Sequence, residues 1–471
     1  MYHHAVGRRT RMAERLGRPD YLDPRDDTFG ASRRGFLKSA GIAAGTLAAS
    51  IAAPRLAHSA PLRAAHARPD KPVRVSKQRL NALAAQFYAV FNEHDVLPKD
   101  FSGKHEARYD VELRRITTMT RVPETGERVK VSALVAVPVG VRGALPVLSW
   151  QHGTILSFDQ VPSNLLRLGD EGYQLRDNID SLETLFNIQR FAGNGYAVIA
   201  ADYIGKGPLR NGRGEAYAVK GATVQCCLDV LDAGLLELKT LGLRQSALFL
   251  NGWSQGALNT QWLKQEMQRR GMKVTASATQ SPFNNLAESF HYWVNPTSYI
   301  PSAETSYPMP PAWITPCLVV LLGSYRQYYG LSDLFKTAIK PQHQAFAEKY
   351  WADYSLAGDT AKTVPPAADL LVDGFFDRFT QDTNSRLLRQ LGRNGATFWD
   401  YDSPIRFYYG LADEALHPRL VKPAIAAGGR FAAGVPVAGA SHRGTFLASL
   451  YGNGTVLNGQ STAFDWFNSL M

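Results

Sequence analysis

The chain has 471 residues, 45% of them hydrophobic and 20% charged, enough apolar material for a large buried core and too much for a wholly disordered protein. Its net charge of +11 is concentrated at the start: residues 1–67 hold 11 Lys/Arg against 5 Asp/Glu, leaving +5 for the rest. That remainder is spread out, with no Lys/Arg stripe interleaved with aromatics, so a nucleic-acid partner is not expected.

Residues 32–38 read Ser-Arg-Arg-Gly-Phe-Leu-Lys. An uncharged, Ala- and Gly-rich stretch follows from Gly41 to Ala53, too short at 13 residues to span a bilayer, which takes about 20. Then come Arg55, Arg63 and the small-x-small site Ala65-His66-Ala67, with cleavage after Ala60 as an alternative. This succession resembles the bacterial twin-arginine export signal. The resemblance implies that 1–67 is an address read by the twin-arginine translocation machinery. It also implies that the protein folds before export and resides in the periplasm or is secreted, with no transmembrane span. Residues 1–31 show no period, and Met12 is an alternative start.

The mature chain alternates short β-branched runs with helical patterns, the signature of βαβ units around a parallel sheet. Val129–Val137 alternates as a partly exposed strand, and Pro146–Trp150 is a buried one running into Gln151-His152-Gly153-Thr154. A helical pattern over Ser181–Phe191 stops at Gly193-Asn194-Gly195 and is followed by a strand over Tyr196–Ala201. Next come a helix over Thr223–Leu241, a strand over Ala247–Asn251, a helix over Ala257–Arg270 and a strand over Val274–Ala278. From about 282 to 400 strand-like runs are few, aromatics are dense and prolines cut the chain into short pieces, which reads as a largely helical insertion. The strand rhythm returns at Ile405–Tyr409 and Val435–Ala438, with final helical patterns over Gly444–Leu450 and Thr462–Leu470. The expected division is therefore 1–67 address, 68–281 first part of the core, 282–400 cap and 401–471 second part of the core.

Gly252-Trp253-Ser254-Gln255-Gly256 follows the strand ending at Asn251 and precedes a helix, the setting in which G-x-S-x-G acts as a nucleophile elbow. The turn is so tight that side chains flanking the serine would clash. Ser254 is the candidate nucleophile. A serine hydroxyl needs a base that is itself oriented by a carboxylate. In the order nucleophile, acid, base that this motif carries, His442 in the loop after the last strand is the candidate base, with His417 the rival. Asp413, just beyond the strand Ile405–Tyr409, is the candidate acid, with adjacent Glu414 as competitor; Asp402 lies at the wrong end of that strand. The oxyanion of a tetrahedral intermediate calls for backbone donors, here Gln255 and either Gly153 or Thr154. His152 reads as a structural hydrogen-bonding residue. With no HExxH and no His/Asp cluster, neither metal nor cofactor is expected. Cys226 and Cys227 read as packing residues and Cys317 stands alone; one bridge to Cys317 stays open.

The ordered set, His152-Gly153, Gly252–Gly256, Asp413 and His442, resembles the α/β-hydrolase superfamily. Gly195–Tyr203 and the helical insertion resemble its secretory lipases and esterases, although Ala257 stands where those often have another glycine. The resemblance implies an α/β fold with a mostly parallel sheet flanked by helices and a helical lid. It also implies a serine hydrolase acting on small-molecule or lipid esters. A peptidase or amidase on the same scaffold and a non-catalytic binding protein are the alternatives.

Overall fold

The computed structural model describes residues 71–471 apart from 94–95, 99–100, 102, 301–305, 357–363, 377, 379–381 and 383–384. The expected address in 1–67 lies outside the described residues. The chain builds a nine-stranded sheet from β1 (Val73–Val75), β2 (Val111–Arg121), β3 (Arg128–Pro138), β4 (Gly143–Gln151), β5 (Ala197–Ala201), β6 (Leu243–Trp253), β7 (Ala276–Gln280), β8 (Ile405–Gly410) and β9 (Ala432–Val437). Their order is β1-β2-β3-β5-β4-β6-β7-β8-β9. The pairs from β1 to β5 are antiparallel, and every pair from β5 to β9 is parallel.

The parallel strands are buried on both faces, as their continuous apolar sequences require. Alternate residues feed two cores: Val147, Ile199 and Leu250 pack on one side, and Leu148, Val198 and Phe249 on the other. Helices Lys220–Thr240 and Gln255–Arg269 cover the first face. Helices Lys77–Phe91, Leu182–Arg190, His442–Tyr451 and Ala463–Asn468 cover the second. Between β7 and β8 the chain forms helices Leu286–Val294, Ile314–Tyr328, Leu334–Ala338, Pro341–Asp353, Ala367–Leu370 and Arg386–Arg393. They join the first core through such contacts as Tyr325, whose hydroxyl donates to Ala218 O at 3.2 Å. No helix among the described residues is long and apolar enough to cross a membrane.

This is the mostly parallel, helix-flanked sheet that the sequence predicts, with differences at the margins. β1 escapes the sequence reading because three residues show no period, and β2 because Arg114-Arg115 interrupts its alternation. The structure accommodates the pair by bonding Arg114 to Glu112 and Glu237, and Arg115 to Ser163 and Asn164. β7 lies two residues later than expected, and β9 starts three residues earlier and ends one sooner. Their neighbours set the register: Ala276 pairs with Phe249, and Ala432 with Ile405.

Candidate active site

β6 ends at Trp253 and the next helix starts at Gln255, so Ser254 alone reverses the chain. It sits at φ 56°, ψ −119°, a conformation that costs a residue with a Cβ about 1–3 kcal/mol. Its N–H donates to Gln280 O at 2.9 Å, tying the turn to β7. A Cβ on Gly252 would run into the Gly256 carbonyl and the Thr260 hydroxyl; one on Gly256 would run into the carbonyls of Gln151 and His152. The two glycines of the motif are thus required by the approach of the helix to its own strand and to β4.

The other candidates converge from the C-terminal edge of the sheet, where β8 and β9 release their loops. His442 opens the helix that follows β9, and Ser441 caps that helix by accepting from Gly444 N–H at 3.0 Å. Its Nδ1 stands 3.0 Å from Asp413 Oδ1 and 3.1 Å from Oδ2. Asp413 Oδ1 also accepts the N–H groups of Ala415 and Leu416, at 3.0 and 2.9 Å, which fixes the plane of the carboxylate. Glu414 reaches the same residue elsewhere: its Oε2 accepts the backbone N–H of His442 at 3.0 Å. Of the two adjacent carboxylates, therefore, Asp413 meets the imidazole and Glu414 the main chain. His417 stands apart from this pair, its Nδ1 accepting Arg419 N–H at 3.2 Å and its ring packed on Tyr307.

Burial alone would lower the His442 pKa, but the charge and hydrogen bond of Asp413, with the charge of Glu414, outweigh it and hold the imidazole above its ordinary 6.5. Glu414 is pushed up by burial first and then by Asp413. The His442 ring packs near two tryptophans, with ring centres 5.1 Å away for Trp253 and 5.6 Å for Trp313. Trp253 Nε1 donates to His442 O at 3.2 Å.

Ser254 and His442 both line a cavity of about 570 Å³, without a hydrogen bond to one another. Its apolar wall comes from Phe91, Ile155, Leu156, Trp253, Trp313 and Leu356. Thr154 also lines it, and its Oγ1 lies 3.0 Å from the Tyr217 hydroxyl. Gln255 and Gly153 do not line the cavity. The Gln255 N–H, at the first position of the helix, meets no acceptor among the described residues. A Cβ on Gly153 would meet the Trp253 ring at 2.9 Å. His152 is fully buried, its Nδ1 2.8 Å from Gly153 O and its ring stacked on Tyr203. Burial, then the charge of Lys206, hold its pKa well below 6.5, so it is neutral. All three cysteines are buried and unpaired.

Sequence reasoning missed Phe91, which belongs to a helix with no chemical motif. The dense aromatics between β7 and β8, Trp313 among them, are the sequence signal for an apolar pocket, and Trp313 and Cys317 of that segment line the cavity.

The strand order, the elbow after β6 and the loops after β8 and β9 define an α/β-hydrolase fold. Among solved structures, the chain is similar to a candidate hydrolase from Legionella pneumophila, at 18% identity over 86% of this chain and 98% of that one, with a TM-score of 0.65. It is also similar to the rice cell wall degrading esterase LipA from Xanthomonas oryzae, at 18% identity over 81% and 94%, TM-score 0.63. Candida antarctica lipase A in its closed state follows, at 14% identity over 70% and 73%, TM-score 0.51. At such identities the likeness is one of fold. No protein-family model matches the chain, and a search of curated proteins returns no match.

Proposed function

We propose that this chain is a serine hydrolase that cleaves carboxylic esters through an acyl-enzyme on Ser254. The observation that carries the reading is the buried Asp413–His442 pair, whose imidazole lines the same cavity as a serine held in a strained strand-to-helix turn. As Ser254 Oγ attacks the ester carbonyl carbon, His442 Nε2 takes its proton, while Asp413 holds the Nδ1–H tautomer and stabilises the imidazolium. The N–H groups of Gln255 and of Gly153 or Thr154 receive the oxyanion. His442 then protonates the departing alkoxide, and the acyl group remains on Ser254. In the second half, His442 deprotonates a water that attacks the acyl carbon, and returns the proton to Ser254 as the acid leaves.

Residues 282–400 act in this reading as a cap, supported by Trp313 and Cys317 in the cavity wall. The apolar wall suits an acyl or aryl group. An exopeptidase that recognises a free substrate amino terminus would need an unpaired carboxylate to receive it. The carboxylates in the wall include Asp177, bonded to Arg443 at 2.9 Å, and Asp159, 3.7 Å from Arg167. Glu183 is raised by burial to about 7. That partnering favours the ester over such an exopeptidase. Export through the twin-arginine machinery to the periplasm or beyond rests on residues 32–67.

The test is a panel of p-nitrophenyl esters of rising chain length beside aminoacyl anilides, with fluorophosphonate labelling of wild type and Ser254→Ala. Turnover of esters and labelling that vanishes in the variant are expected. Folded protein that turns over no ester would sink the ester claim, and faster anilide release would favour the amidase. Fractionation of cells expressing the chain with Arg33 and Arg34 replaced by Lys checks the export reading.

A further inference from the structure

A charge pair with no direct part in the chemistry above reaches the elbow through one of its oxygens. Lys206 and Glu215 are each 1% exposed, and Lys206 Nζ lies 2.8 Å from Glu215 Oε1. The same oxygen accepts from the side-chain amide of Gln255 at 2.8 Å. Glu215 Oε2 accepts from the Tyr354 hydroxyl, which also lies 3.2 Å from Ile155 O. Tyr354 follows the helix Pro341–Asp353 in a left-handed conformation at φ 49°, and its own carbonyl accepts Phe158 N–H. The Glu215 carbonyl in turn accepts from Ser324 Oγ of the helix Ile314–Tyr328 at 2.6 Å.

Glu215 therefore joins pieces that the sequence keeps far apart. Its carboxylate meets the first residue of the helix after Ser254 and Tyr354, which itself reaches the loop that continues from Thr154, while its carbonyl meets the helix Ile314–Tyr328. A buried ion pair seldom stabilises a fold better than apolar side chains of the same volume, because both charges must first be stripped of water. What it supplies here is direction, since Gln255 and Tyr354 approach the carboxylate from different elements and each donates a hydrogen bond to it.

We infer that Glu215 is a positioning residue that holds Gln255, and so the N–H following the nucleophile, in register with the Thr154 loop. Lys206 lies against the same Glu215 oxygen that holds Gln255, and Tyr354 makes the register depend on the seating of the cap. The inference rests on the proposed roles of Ser254 and Gln255. It predicts that the interaction matters more to the tetrahedral intermediate than to the bound ester, because a displaced N–H fails only once the oxyanion forms.

The test uses the full chain and three variants: Lys206→Met/Glu215→Leu, which removes the hook without stranding a buried charge, Gln255→Met, which removes only the tether and keeps the backbone N–H, and their combination. Each is measured for kcat and KM on p-nitrophenyl butyrate, for inhibition by a trifluoromethyl ketone, and for melting temperature, with active sites titrated by a fluorophosphonate. The double variant is expected to lose about tenfold to a hundredfold in kcat with KM within about twofold, as for a small misplacement of a catalytic group. The ketone should weaken by the same factor as kcat/KM, Gln255→Met should behave alike, and the combination should be no worse than either. Wild-type kcat and ketone affinity in the double variant, or a loss of activity that disappears when rates are scaled to titrated sites, would overturn the inference and leave the pair a purely structural one. If the double variant does not fold, Gln255→Met decides, and an unchanged kcat there overturns the inference. A wild-type chain that neither turns over esters nor is labelled at Ser254 removes the reading beneath it and overturns both.

Discussion

Replacing Asp413 by Asn isolates the contribution of one charge at the centre of the site. The carboxylate is 1% exposed, and two backbone donors, Ala415 and Leu416, both point at Oδ1. In the Asn variant those donors demand a carbonyl oxygen at that position, which puts the side-chain NH2 where Oδ2 now stands, 3.1 Å from His442 Nδ1. An NH2 group there donates to the imidazole and favours the tautomer with its proton on Nε2, the nitrogen that has to accept the Ser254 proton. A buried acid–His pair broken in this way costs about 10⁴-fold in kcat, or about 5.5 kcal/mol of barrier, while KM stays within about threefold. The pH dependence follows from the same contacts. With the Asp413 charge gone, burial pulls the His442 pKa down from its raised value, so the acid limb of kcat/KM moves to lower pH. For stability, a histidine raised in the folded state contributes fully below its unfolded pKa of about 6.5, and the contribution fades as pH rises through the folded value. The variant's deficit in melting temperature should therefore be larger near about pH 5.5 than near about pH 9. Ester hydrolysis across that range, with thermal melts at both ends, measures each quantity. A variant within tenfold of wild-type kcat, or an acid limb that does not move, would refute the assignment; a larger loss from Glu414→Gln would transfer the acid role to Glu414.

Glu414→Gln itself should keep most of kcat, because its oxygen can still accept the His442 backbone N–H, while the acid limb shifts modestly downward with loss of its charge, read from the pH profile of kcat/KM. Ser254→Ala should lose about 10⁶-fold in turnover with a melting temperature near wild type. His442→Ala should lose about as much turnover with a lowered melting temperature, since it leaves the buried Asp413 carboxylate without its imidazole. Gly256→Ala should both destabilise and inactivate, since the new methyl meets the Gln151 and His152 carbonyls of a central strand and its loop; a loss of about 1–3 kcal/mol by urea unfolding is expected. Trp313→Ala should raise KM for a long-chain ester several-fold more than for an acetate, because the ring forms part of the cavity wall beside His442. Equal effects on both esters would place the acyl group elsewhere.

The amino-acid sequence alone was enough for the elbow, because the features that mark it lie within a few residues of Ser254. A strand of apolar residues, a glycine on either side and a helix directly after can be satisfied in few ways, and the positive φ at Ser254 follows from that compression. The α/β architecture was legible for a similar reason, since parallel strands buried on both faces must be continuously apolar and must alternate with helices. β2 was not, because its two adjacent arginines are accommodated by partners in β2 itself, in a distant helix and in the 3-10 helix Pro162–Gly169. Nor could sequence separate Asp413 from Glu414. Neighbouring residues share a loop, and which of them meets the imidazole depends on the turn made by the Ala415 and Leu416 amides and on where β9 delivers His442. The full wall of the cavity, beyond the aromatic signal of the segment between β7 and β8, and the Lys206–Glu215–Gln255 link were out of reach. Their members come from four or more segments whose only relation is tertiary contact, and no local period or spacing records it.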